Sequence, residues 1–72
     1  MANENALFML IYSLSTARQA LDAARELESK KWIAWQANEL SMPEYLAALD
    51  ALDASRLTWE QALRAYLIGR PA

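Results

Sequence analysis

The chain has 72 residues, enough for one domain, and below about 70–80 residues a single core seldom supplies more than about 3–5 kcal/mol without disulfides, metal or oligomerisation. It contains no cysteine and no histidine, which excludes disulfide bridges and the common zinc and haem ligand sets and leaves helix packing and association as the sources of stability. Seven basic and nine acidic side chains are interspersed and leave a net charge of −2, so neither a cationic face for nucleic acid or anionic lipid nor the strong acidity of a DNA mimic is present.

The first segment, Met1-Ala2-Asn3-Glu4-Asn5, carries Glu4 and no Lys or Arg. A secretory signal needs positive charge ahead of its apolar stretch, so this segment does not read as one. The run that follows, Ala6-Leu7-Phe8-Met9-Leu10-Ile11-Tyr12, is far shorter than the roughly 20 apolar residues that span a bilayer. A soluble, cytoplasmic protein is the expectation, and the absence of cysteine fits a reducing compartment.

Fifteen alanines and twelve leucines dominate the composition, and the single glycine, Gly69, and the prolines, Pro43 and Pro71, stand only where helix ends are expected. The first helix is predicted from about Asn5 to Leu40. Leu7, Leu10, Leu14, Ala17, Leu21 and Ala24 follow alternating steps of three and four, which keeps them on one stripe. Asn3 or Asn5 can cap its start, with Glu4 favourably placed on the helix dipole. Asn38 can supply the left-handed residue that ends it.

The next boundary is the strongest local signal. Ser41-Met42-Pro43-Glu44 has the pattern of a capping box, with Pro43 in the first turn, where its missing N–H costs nothing, and Leu40 and Tyr45 placed as a hydrophobic staple. The turn therefore spans Asn38 to Met42, and the second helix is predicted from about Met42 to Ile68. Tyr45, Leu49, Leu52, Arg56, Trp59, Leu63 and Tyr66 make its stripe, with Gly69 and Pro71 as the stop. A rival reading breaks this helix between Asp53 and Leu57 and restarts it at Thr58, because Thr58-Trp59-Glu60-Gln61 also fits a capping box.

Two helices joined by a short turn form an antiparallel hairpin, here one all-α domain over residues 1–72. The expected register puts Trp35 near Leu46, Trp32 near Leu49, Asp22 near Trp59 and Leu14 near Leu67. Helix one is then roughly 50–55 Å long against about 40 Å for helix two, and the excess is the apolar run Ala6–Tyr12.

Catalysis finds little support. Without His or Cys there is no conventional dyad or triad, Lys30 and Lys31 fall on an exposed side, and no glycine-rich phosphate loop exists. Asp50 and Asp53 are the nearest thing to an acid pair, and they read as a solvated face. No catalytic, cofactor-binding or metal-binding residue is assigned. Arg18–Asp22, Glu26–Lys30, and Glu60 with Arg56 and Arg64 are i,i+4 neighbours worth a few tenths of a kcal/mol each. Arg56, lying on the apolar stripe, can pair with Glu28 or fix register.

The candidate binding residues are apolar and aromatic. Leu7, Leu10, Ile11 and Leu14 can face the seam, which leaves Phe8, Met9 and Tyr12 directed elsewhere; a two-helix hairpin cannot cover seven consecutive apolar residues. Trp32 and Trp35 share a face near the turn, with Tyr45 opposite, a set suited either to core packing or to a target-binding patch. The assigned interface set is therefore Leu7, Phe8, Met9, Leu10, Ile11, Tyr12, Trp32, Trp35 and Tyr45. Lys30-Lys31-Trp32 is too small a basic platform for nucleic acid, and a membrane-surface helix would need a Lys/Arg-rich polar face.

The stretch Asn38-Glu39-Leu40-Ser41 through Leu46, Leu49, Leu52, Ala62 and Leu63 to Tyr66 resembles, in its Ala/Leu spacing, the helical hairpins of outer-membrane efflux channels. Those channels also need β-strands and an export signal, which this sequence does not show, so no function is transferred. Helical-hairpin secretion chaperones and needle subunits share only the architecture. The sequence thus points to a hairpin that pairs into a homodimeric four-helix bundle and binds a protein target, as an adaptor, chaperone, antiactivator or inhibitor, of a size fitting a bacterial or phage genome. The alternative is a self-assembling scaffold subunit, with a small-ligand-binding bundle third.

Overall fold

The computed structural model describes residues 2–69, with side chains from Asn5 onward. Two helices, α1 (Ala2–Gln36) and α2 (Met42–Gly69), pack against each other along their length, and no strand occurs among the described residues. The Cα trace extends 55 × 14 × 13 Å. Because α1 begins at Ala2, Asn5 lies within the helix and does not cap it. The side chains of Asn3 and Glu4, and all of Pro71, lie outside the described residues.

The helix-one end is built as the residue types dictate. Asn38 has φ of 61°, the only positive φ among the described non-glycine residues. Its N–H donates to the Trp35 carbonyl at 3.1 Å, and the N–H of Glu39 donates to the Ala34 carbonyl at 2.9 Å. This is the paired pattern of a Schellman motif, which satisfies carbonyls the helix would otherwise leave open. The left-handed residue stops α1 at Gln36, four positions short of Leu40.

Ser41 then opens α2. Its Oγ accepts from the Glu44 N–H at 3.4 Å, and its carbonyl accepts from the Tyr45 N–H at 3.1 Å. The reciprocal half of the capping box is altered: the Glu44 carboxylate accepts a hydrogen bond from the Ser41 hydroxyl at 2.9 Å, where the usual motif has it accept from the Ser41 amide. A serine cap of this kind is worth about 1 kcal/mol.

The second helix is continuous. Thr58 does not restart it; the hydroxyl donates back to the Ala54 carbonyl at 3.0 Å, the usual resting place of a mid-helix threonine. Gly69 is no left-handed cap either, since no described glycine has positive φ. It serves close approach: a Cβ there would stand 2.6 Å from Leu10 Cδ1.

The seam on α1 runs Leu7, Leu10, Leu14, Ala17, Leu21, Ala24, Glu28, Lys31 and Trp35, all at least half-buried. These continue the three-and-four steps of the predicted stripe. On α2 the matching line is Tyr45, Ala48, Leu52, Ser55, Trp59, Ala62 and Tyr66, with Leu49 and Leu63 half-buried at its edge. Ser55 takes the place expected for Arg56, which is exposed and pairs with Asp53 at 3.7 Å. Alanines at the centre let the helices approach closely, and the larger leucines close the gap from the side. The result is thin. Among the described residues only Ala17, Leu21, Tyr45 and Ala48 are buried, and Leu21 alone is fully so at 1% exposure.

Candidate functional site

Most of the exposed large apolar side chains lie at the two ends of the hairpin, with Leu27 and Leu57 between them, and each end has a different chemistry. At the open end Leu10 packs over Gly69, which brings the last turn of α2 beside the apolar run of α1. Leu7 and Leu10 are half-buried in the seam. Phe8 at 67% exposure, Met9, Ile11 and Tyr12 at 61% are open to solvent, joined there by Leu67 and Ile68. Ile11 corrects the expectation that it faces the seam: the three-and-four repeat passes through Leu10 and Leu14, which turns Ile11 onto the flank. The register differs too. With Leu10 against Gly69, part of the run lies beside α2 and the overhang is shorter than Ala6–Tyr12.

At the turn end Trp32, Trp35 and Tyr45 form a compact triangle. Trp35 stacks on Tyr45 at 5.6 Å and 14°, while Trp32 leans on Trp35 at 5.2 Å and on Tyr45 at 5.6 Å. Both indoles thus meet Tyr45. Such offset and tilted pairs add about 0.5–1.5 kcal/mol beyond area burial. Tyr45 is buried, Trp35 half-buried, and Trp32 remains 40% exposed, so the triangle is partly core and partly surface.

Glu28, read from the sequence only as a candidate partner of Arg56, completes this end by meeting Tyr45, while Arg56 pairs with Asp53. Tyr45 donates its phenol proton to Glu28 Oε1 at 3.1 Å, the one side-chain hydrogen bond joining the helices among the described residues. Glu28, Ser29, Trp32, Ile33 and Tyr45 line an open cleft of about 440 Å³. Continuing the repeat Ala17, Leu21, Ala24 by four places Glu28 on the seam, and that signal was available in the sequence. Burial, the Glu28 hydrogen bond and the Glu28 charge all push the Tyr45 phenol above its ordinary 10.0, in that order of size.

That shift carries a sign. A phenol whose pKa is raised by folding contributes stability that is complete below pH 10.0 and is lost as pH rises through the folded value. Thermal melts in strongly alkaline buffer should therefore show wild type losing stability relative to Tyr45→Phe, and parallel pH profiles for the two proteins would refute the assignment.

The middle of the hairpin has two unlike flanks. One carries Arg18, which bridges Asp22 at 3.3 Å and stacks over Trp59 at 5.2 Å, with Arg25 reaching Asp22 at 4.0 Å. Arg18 therefore contacts Trp59 and links it to Asp22. The opposite flank holds Ser13, Ala20, Leu27, Ala51, Thr58 and Ala65, all exposed and uncharged. Toward the turn it includes a shallow cleft of about 310 Å³ lined by Leu27, Lys31, Glu44, Ala47, Ala48 and Ala51. Lys30 pairs with Glu26 at 3.4 Å, as expected from their spacing.

Among the described residues no three acidic side chains come together as a metal cage would require, and no helix is long and apolar enough to cross a membrane. No family model, curated protein or solved structure matches the chain.

Proposed function

We propose that this is a small non-catalytic helical protein that pairs with a second copy into a four-helix bundle and works by binding another protein, as an adaptor, chaperone, antiactivator or inhibitor. The observation that carries the reading is the mismatch between core and surface. Among the described residues four are buried, while Phe8, Met9, Ile11, Tyr12, Leu67 and Ile68 stand exposed at one end. Exposed apolar groups gathered in this way mark interaction surfaces. The flank around Ala20, Leu27 and Ala51 carries small and apolar side chains that support close helix approach, with Lys31 and Glu44 bordering its cleft toward the turn. A cytoplasmic location accompanies the reading, supported by a chain without cysteine.

A second reading has its own observation. Trp32, Ile33, Met42 and Leu46 are exposed at the turn end, so the rod is apolar at both ends. Head-to-tail contact between unlike ends would build a scaffold or filament. Sedimentation of the wild-type chain over a range of concentrations separates the two. A closed dimer approaches a fixed mass, a filament keeps growing, and a monomer at every micromolar concentration would overturn both.

A further inference from the structure

The cleft at the turn end has a carboxylate and an aromatic wall but no cation. Glu28 is half-buried, and Oε1 accepts one hydrogen bond, from Tyr45 at 3.1 Å. An ionised carboxylate has about four acceptor positions, so most of its capacity is unused by that bond. The nearby cations are engaged elsewhere: Arg18 and Arg25 with Asp22, Lys30 with Glu26, Arg56 with Asp53. Lys31, one turn from Glu28, lines the cleft on the other side of the seam. No ion pair involving Glu28 forms among the described residues.

Beside the carboxylate stands the partly exposed indole of Trp32, with Ile33 at 67% exposure and Ser29 along the rim. An indole face attracts a cation, and a planar guanidinium both stacks on such a face and forks onto a carboxylate. Its three-carbon stem would lie along Ile33, as long basic side chains lie along apolar surface. An ammonium matches the charge but not the flat face. We infer that the cleft formed by Glu28, Ser29, Trp32, Ile33 and Tyr45 receives an arginine side chain from the protein this chain binds.

This rests on the protein-binding reading above and names the chemistry of the partner. It places target recognition at the turn end and leaves the open end for self-association. The tyrosine has a part in it: by holding one oxygen of Glu28 toward α2, it orients the carboxylate for a ligand entering along Trp32.

The test uses the whole chain and two probes, acetyl-Gly-Arg-Gly-amide and the same peptide with citrulline, which keeps the shape and removes the charge. The Trp32 indole N–H is followed by NMR during titration, in wild type and in Glu28→Gln, which retains an acceptor for Tyr45. The expected result is a saturable shift with the arginine peptide, weakened about tenfold or more by citrulline or by Glu28→Gln, which corresponds to about 1.4 kcal/mol. Equal responses to the two peptides, an unchanged affinity in Glu28→Gln, or no saturable shift would overturn the assignment. Mass is measured on the same samples. A fall in mass in Glu28→Gln would show that the carboxylate pairs with a second copy, which also overturns it. Arginine binding by a protein that stays monomeric would support the cleft while removing the oligomer, so the two ideas fail separately.

Discussion

Leu21→Ala is expected to unfold the isolated hairpin or leave it only marginally helical. Leu21 is the one fully buried large side chain among the described residues. Truncating a buried leucine costs about 2–5 kcal/mol, from the lost transfer of the apolar group and the cavity left behind. A core of this size seldom provides more than about 3–5 kcal/mol, so the loss is comparable to the whole. Neighbouring atoms can do little to collapse into the space, because the other buried aliphatic side chains among the described residues are the small Ala17 and Ala48. Gln19→Ala, on the exposed side of the same helix, should change stability by no more than about 0.5 kcal/mol. Denaturant unfolding followed by circular dichroism checks both, and a Leu21→Ala protein as stable as Gln19→Ala would contradict the packing described.

The Phe8→Asp, Ile11→Asp double variant is expected to keep its helices and lose its association. Both side chains are exposed in the hairpin, at 67% and 48%, so replacing them removes little from the core. In a bundle they become buried, and each such side chain contributes about 1.5–3 kcal/mol. Together they represent about 3–6 kcal/mol, a weakening of a hundredfold or more, before the cost of placing two carboxylates in an apolar interface is added. Light scattering reads the mass and affinity capture from the host reads the partner. Loss of mass with a folded chain assigns the open end to subunit contact. Loss of a captured partner with mass retained assigns it to the target instead, and retention of both removes the open end from either role.

The clearest parts of the sequence were those written in local chemistry. Ser41, Pro43 and Glu44 mark a boundary because each acts within one turn of the backbone, and Asn38 adopts the left-handed conformation that asparagine tolerates. The α1 stripe was legible because its large apolar residues coincide with the seam. On α2 they do not. Ala48 and Ala62 lie central with Leu49 and Leu63 beside them, so following the leucines moves the stripe by one position and lands on Arg56 instead of Ser55. The expected register has another origin: it centred the turn near Leu40–Ser41, whereas α1 ends at Gln36 and α2 begins at Met42. The place of Glu28 on the seam was legible from the α1 repeat, but its partner was not, because the bond to Tyr45 crosses the seam and cannot be read from either helix alone.

The hairpin is closed by contacts of very different loop length. Asn38 and Ser41 act within a few residues of sequence, whereas Leu10 over Gly69 joins positions near opposite ends of the described chain. Loop-closure entropy rises with the number of residues enclosed, and partial formation of the turn shortens every later closure. Docking therefore propagates from the turn outward, and opening runs the other way. The apolar open end is the last part of the fold to form and the first to fray, so a partner that grips it stabilises the least local contact in the molecule.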